Sequence, residues 1–378
     1  MHAAQHTDHQ ESRAYRAWLL FVLMLVCLVN YADRSVVSSV AEPLRREFGL
    51  SDLQLGLLQG LSFALPYSVL GVPFARLAER RSRVRILAAA TFAWSALTVL
   101  CGAAVHYWQM LLVRVGVGVG ETGFMAPASS LLGDHFPRGR RALATSVMML
   151  GVPFGALIGA TVGGYIAQSV GWRWAFVALG APGLLVAALV LFTLREPARG
   201  RHENQGDQDV PPLGAVARQC LGDPVFRHVA LGGMLAGFGL HGLGQFLGVY
   251  LVRSYGLPYG MAGMLYGLIA ALTITLGLLV GGALADRLAR RNLRWYARTR
   301  ASMIAIYQLV VNVVSMGLGT PLIGWFSDRF AAQALARGGI GLENAQALGL
   351  RQALMASTVF YAWAGLHYWL ASRHQARA

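Results

Sequence analysis

The 378-residue sequence contains no lysine; all 32 of its basic residues are arginine, set against 17 acids. Charged residues make up only 13% of the chain, about half the share a soluble domain uses to cover its surface. That shortage excludes an ordinary cytosolic enzyme, and the high apolar content excludes disorder. Three cysteines, Cys27, Cys101 and Cys220, are too few, and odd in number, for a disulfide framework. The segment from Met1 to Arg16 lacks the apolar core and cleavage site of a signal peptide and reads as a short cytoplasmic tail. No apolar run alternates with period two, so a membrane barrel is not expected.

What is present is apolar length. Hydrophobic residues are 56% of the chain, with 45 glycines beside them. Ten runs are long enough to cross about 30 Å of hydrocarbon as helices. They are Trp18 to Leu44, Leu53 to Leu77, Ile86 to Val105, Trp108 to Leu132, Leu143 to Ser169, Trp174 to Leu194, Val229 to Val252, Tyr259 to Ala285, Met303 to Phe326 and Ala353 to Leu370. The net charge of +15 sits in arginine clusters between these runs, at 76–85, 134–141 and 286–300, while the alternate loops are nearly neutral. This is the pattern of basic loops held on the cytoplasmic side. It assigns the charge to topology rather than to nucleic acid, and predicts an inner-membrane, multi-pass protein with both termini cytoplasmic. The stretch 196–227, with Pro211 and Pro212, reads as a cytoplasmic linker between an amino-terminal half, 1–195, and a carboxy-terminal half, 228–378.

One motif is written twice. The second run ends Ala75-Arg76-Leu77-Ala78-Glu79-Arg80-Arg81-Ser82-Arg83, and the eighth ends Gly282-Ala283-Leu284-Ala285-Asp286-Arg287-Leu288-Ala289-Arg290-Arg291. An acid followed by arginines at a helix end can pair with neighbouring helices, so Glu79, Arg80, Arg83, Asp286, Arg287 and Arg290 are candidates for a conformational latch. Two copies at equivalent helices point to a duplicated architecture. The motif resembles the signature loop of the major facilitator superfamily. That resemblance implies an all-α membrane fold of twelve helices in two pseudo-symmetric bundles. A third echo, Gly324 to Arg329, makes the ninth run resemble family helix eleven. Only a basic stretch lies between Ala285 and Met303, so the equivalents of helices nine and ten are absent around Asn292 to Arg300. An omission from the sequence is expected, with a break or missing helices there, because one bundle otherwise loses a cavity-lining helix.

Ionisable residues inside a span are costly and are functional candidates by default. In the first run Asn30, Asp33 and Arg34 share a face, with Tyr31 adjacent. In the fourth, Arg114, Gly118 and Glu121 share one, and Phe124 follows. In the seventh, His241 and Gln245 lie one turn apart. Two readings stand: a static network clamping two helices, or a protonation-linked switch with Asp33 and Glu121 as proton carriers and Arg34 and Arg114 as their switching partners. Asn30, Tyr31, Phe124, His241 and Gln245 are candidate lining of a substrate cavity. Gly118 to Gly123 formally spells G-x-G-x-x-G, but no preceding strand exists, so close helix packing is expected instead. The fifth run, from Gly151 to Gly164, resembles the family's antiporter motif with Ala160 in place of a proline.

Asn30-Tyr31-Ala32-Asp33-Arg34, together with Arg114 and Gly118-Val119-Gly120-Glu121, looks like the Spinster branch of the superfamily. That resemblance implies a secondary transporter of an amphiphilic small molecule or lipid, working as a monomer among membrane lipids with protons as coupling ion. An organic-anion or drug carrier using Arg34 and Arg114 as anion ligands is the alternative, and a non-transporting membrane receptor or sensor the alternative class. No metal-ligand cluster or nucleophile–base set stands out, so neither an enzyme nor a cofactor is expected.

Overall fold

The computed structural model describes residues 12–197, 218, 220–289 and 300–377. Within those it describes 72, 138, 277–289, 300–306, 308–310, 312 and 375–377 by backbone alone. Among the described residues every regular element is helical, and all ten apolar runs fall on helices. Among the described residues seven helical stretches are long and apolar enough to cross a membrane by length and composition alone.

Three runs that read as single spans are divided: the tenth, Ala353 to Leu370, turns at Thr358, and local chemistry breaks two others. α1 (Arg13–Ser39) is started by Ser12, whose hydroxyl accepts the Tyr15 N–H at 3.1 Å. It stops at Ser39 because the ring of Pro43 cannot pack against the carbonyl four residues earlier, and a short α2 (Ala41–Phe48) follows. Pro153 similarly separates α7 (Arg138–Met149) from α8 (Gly151–Ser169). The second run is continuous but not uniform. α3 (Asp52–Gly56), opened by a Ser51–Gln54 capping box, passes through a π turn (Leu57–Leu61) into α4 (Ser62–Arg80). α5 (Arg83–Cys101), α6 (Tyr107–His135) and α9 (Trp172–Thr193) complete the first half. The second half holds α10 (Pro224–Tyr255), α11 (Tyr259–Ala289), α12 (Arg300–Ala336), α13 (Leu342–Ser357) and α14 (Val359–Arg377).

Packing reveals the repeat. In the first half α1 pairs with α8 and with α9; in the second, α10 pairs with α12 and with α14. The two halves meet through α8 against α11, and through the α3–α4 path against α12, which are equivalent crossings. The contacts of α5 with α9 and of α6 with α4 and α5 have no counterpart in the second half among the described residues. Apolar side chains on α11 (Leu272, Leu276) and α14 (Trp363, Leu366, Trp369) stay exposed there. The predicted gap at Asn292 to Arg300 lies outside the described residues except for Arg300, which opens α12. Most of the predicted linker 196–227 also lies outside them.

Close approach is licensed by glycine. A Cβ on Gly151 meets the Met24 carbonyl at 2.6 Å, and one on Gly120 meets Trp94 at 2.9 Å. The glycines of the fourth and fifth runs therefore work as packing surfaces.

Candidate functional site

The polar residues of the first and fourth runs converge. Arg34 on α1 donates from Nε to Glu121 on α6 at 2.6 Å, with the Glu121 side chain fully buried and that of Arg34 19% exposed. The Arg34 guanidinium is surrounded by aromatic rings: Phe63 at 4.4 Å, Tyr31 at 5.0 Å and Tyr67 at 5.2 Å. Asp33 is buried and accepts one hydrogen bond, from Thr98 on α5 at 3.3 Å. Arg114 is buried too, its guanidinium carbon 5.9 Å from the Phe63 ring.

This network is only partly satisfied. Among the described residues Asp33 Oδ1 and Nε and Nη1 of Arg114 have no protein hydrogen-bond partner, while Asn30 lies beside the Glu121 carboxyl. Two carboxylates and two guanidiniums are thus gathered in a low-dielectric interior with one direct ion pair among them.

His241 and Gln245, on α10, are half-buried and stand across from α1. Gln245 Oε1 accepts from the Ser38 hydroxyl, and His241 lies within electrostatic range of Arg34. Tyr31 borders the same space through its contact with Arg34. Phe124 departs from its predicted place: it is 2% exposed and packs in the interior of the first bundle with Trp94, Val117 and Ala128. One step along an α-helix from a cavity-facing residue turns a side chain by about 100°, and Phe124 sits three residues past Glu121 where Gly120 and Gly123 bring α5 close.

Of the predicted latch residues whose side chains are described, Glu79, Arg80 and Arg83, it is Arg83 that is engaged. Its side chain is 2% exposed and donates to Asp134 on α6, to Ser130 at 2.9 Å and to Glu196 at 2.7 Å. Glu79 and Arg80 are exposed. The side chains of Asp286 and Arg287 and the whole of Arg290 lie outside the described residues. Through Arg83 the amino-terminal copy closes a knot within the first bundle. Burial pushes the Glu196 carboxyl up, but the Val84 N–H at 3.0 Å, Arg83 and the Ser82 hydroxyl at 2.8 Å outweigh it and hold the group below the usual carboxylate range. A carboxyl depressed by folding contributes stability that is present above its unfolded value of about 4.3 and is lost as pH falls through the folded value. Melting temperature in detergent therefore drops on acidification below about pH 4, and drops less in Glu196→Gln.

A buried ion cluster that joins the halves was not among the sequence expectations. At the end of the molecule away from the arginine-rich loops, Arg253 at the close of α10 donates to Glu42 at 2.9 Å. It also forks onto both oxygens of Asp52, at 2.8 and 2.7 Å. All three side chains are 5% exposed or less. Ser327 on α12 donates to Asp52 at 2.6 Å, and Asp328 accepts the Asp52 and Leu53 N–H groups at 2.9 Å each. Asp328 thus sits on the positive first turn of α3, which gives the third echo of the motif a role in joining the halves. One signal was available: Arg253 ends the seventh run on the side where positive charge is sparse.

Among the described residues the close glycine crossings between halves lie toward this same end. Gly56 and Gly60 abut Thr320, Pro321 and Met316; Gly263 and Gly267 abut Ala160 and Leu157; Ser38 reaches Gln245. The structure is closed at the end away from the arginine clusters.

Comparison with known proteins supplies the context. The family model described as Major Facilitator Superfamily matches residues 23–308. The chain is 34% identical over 302 residues to an MFS-type efflux pump of Mycolicibacterium smegmatis, covering 78% of this chain and 68% of the relative. It is 28% identical over 285 residues to the sphingosine-1-phosphate transporter SPNS2 of Danio rerio, covering 70% of this chain and only 55% of that protein. Among solved structures it is similar to a bacterial homologue of the human lysosomal transporter Spinster in an inward-facing, unoccupied conformation. That match has a TM-score of 0.86 and 28% identity, over 96% of this chain and 98% of the other. The repeat of packing, the helices of spanning length and these matches agree: the chain is a multi-pass membrane protein that belongs to the Major Facilitator Superfamily, in its Spinster branch.

Proposed function

We propose that the chain is a secondary transporter working by alternating access, coupled to protons through Asp33 and Glu121. The observation that carries this reading is the half-satisfied buried network. A static clamp gains most when every donor and acceptor is met, since an unpaired buried polar group costs about 1–3 kcal/mol, more if charged. Here Asp33 Oδ1 and two nitrogens of Arg114 are left over among the described residues. Surplus partners are what a switch needs: Arg34 can leave Glu121 and Arg114 can approach an acid, with a proton replacing the departed guanidinium.

In this reading the arginine-rich loops and both termini are cytoplasmic, so the closed end is the outer one and the conformation faces inward. The halves 1–195 and 228–378 rock about the cluster, joined by 196–227. Their rocking breaks and remakes the Arg253 contacts. Two helices, the equivalents of nine and ten, are omitted around Asn292 to Arg300.

The substrate is an amphiphile with an anionic or zwitterionic head. A guanidinium set among Tyr31, Phe63 and Tyr67 offers charge and apolar surface together, and the zebrafish relative is named for a sphingoid phosphate. The relative at 34% identity is named an efflux pump, which favours a drug or organic-anion carrier as the second reading. A binding screen in detergent against lysolipids, sphingoid phosphates, organic acids and cationic drugs separates the two. Flux of the selected compound into liposomes tests transport itself, and binding without flux points to a receptor.

A further inference from the structure

We propose that His228 and His367 form a binding site for a divalent transition-metal ion at the arginine-rich end of the second half, where α10 meets α14. The Nδ1 atoms of these two residues face each other at 2.9 Å, with ring centroids 5.2 Å apart. His374, two turns beyond His367 on the same helix face, stacks on His228 from the other side at 5.5 Å. Trp363 stacks on His367 at 6.4 Å. One imidazole from α10 is thus held between two from α14.

Each neutral imidazole has one N–H and one lone pair. Two Nδ1 atoms at this separation either share a proton or turn both lone pairs to a common ion. In the apo chain the pair is a direct N–H···N hydrogen bond, and an ion takes the place of the shared proton. At a metal–nitrogen distance of about 2.0–2.1 Å, nitrogens 2.9 Å apart subtend about 90° at the metal. That spacing suits square-planar or octahedral Cu²⁺ or Ni²⁺ once the two rings turn their lone pairs toward the ion, whereas tetrahedral Zn²⁺ also needs the pair to open by about 0.4 Å. The helices are already close: a Cβ on Gly232, one turn along α10, meets the Tyr368 ring at 3.0 Å. The ligands are therefore ordered before the ion arrives.

No three His, Cys, Asp or Glu side chains among the described residues are grouped to hold a metal as they stand. The site is a two-imidazole site with water in the remaining positions. Arg227 is adjacent and opposes a cation, while the Arg373 guanidinium is turned onto the Trp369 ring at 4.0 Å. Micromolar affinity is expected, in the order Cu²⁺ above Ni²⁺ above Co²⁺. A bound ion staples α10 to α14 within one half and leaves the crossings between halves untouched.

The test uses the full chain in detergent carrying His2→Gln, His6→Gln and His9→Gln, which removes the competing amino-terminal histidines. Cu²⁺ is the probe, followed by electron paramagnetic resonance, with Ni²⁺ titrated calorimetrically. One saturable ion per chain is expected, showing hyperfine structure from two imidazole nitrogens. Adding His228→Gln or His367→Gln weakens binding by tenfold or more, equivalent to about 1.4 kcal/mol. Unchanged affinity in both variants overturns the site. So does coupling to fewer than two imidazoles in the parent chain, a reading that needs no further variant to fold.

Discussion

Glu121→Gln and Asp33→Asn each reduce pH-gradient-driven accumulation in proteoliposomes to the level of protein-free vesicles, while substrate exchange without a gradient continues. The amide keeps the shape and hydrogen-bonding capacity of a protonated carboxyl but cannot cycle. If the two acids carry the coupling proton, energised flux stops and the passive rocking step survives. A static clamp gives the opposite pattern. Breaking a buried ion pair by removing one charge costs about 3–5 kcal/mol, so folding suffers and both kinds of flux fall together. The expected loss at Glu121 is at the low end, because Arg34 retains partial solvent contact and three aromatic neighbours. Arg114→Lys is expected to impair the gradient-driven mode as well, since the ammonium lacks the planar fork needed to exchange one carboxylate for another. Full gradient-driven transport in both amide variants would make these carboxylates structural.

Arg253→Ala opens the end that the structure shows closed. The residue makes one bond to Glu42 and a forked pair to Asp52, all between side chains 5% exposed or less. Its removal leaves Asp52 with Ser327 alone, whereas Glu42 keeps Arg45 and Arg46. A penalty of about 3–5 kcal/mol falls on the closed state only, because the partners rehydrate once the halves separate. About 5.5 kcal/mol carries a two-state equilibrium from 1:99 to 99:1, so the minor conformation becomes a major one. Spin labels on cysteines at 106 and 337, both exposed at this end, should report a longer distance at high population in Arg253→Ala. Arg253→Lys should fall between it and the parent. The native cysteines are buried and leave the labelling selective. A distance distribution unchanged by Arg253→Ala would mean that helix packing at Gly56 and Gly263 holds the closure unaided.

Sequence by itself determined the class, the number of apolar runs, the alternation of basic and near-neutral loops, the duplicated motif, and which polar residues lie within spans. These are one-dimensional properties. Each span must satisfy its own backbone hydrogen bonds in lipid and carry its own transfer energy, and each loop is sorted by its own arginines. A window of about 20 residues therefore contains the whole argument. The breaks at Pro43 and Pro153 were legible in principle too, since a proline acts on the carbonyl four residues before it.

Only the tertiary structure decided which partners those residues have. Arg34 and Glu121 are 87 positions apart, and Arg253 and Asp52 are 201 apart. Whether such groups meet depends on the rotation of each helix about its axis and on how near glycine lets two backbones come. The same two variables put Phe124 into the bundle interior and left Glu79 and Arg80 in the open. They also joined Asp328 to the first turn of α3. Hydropathy is unchanged when a helix turns about its axis, whereas a salt bridge is lost within a few ångströms. That difference in range is why the spans could be read from the sequence and the closure at Arg253 could not.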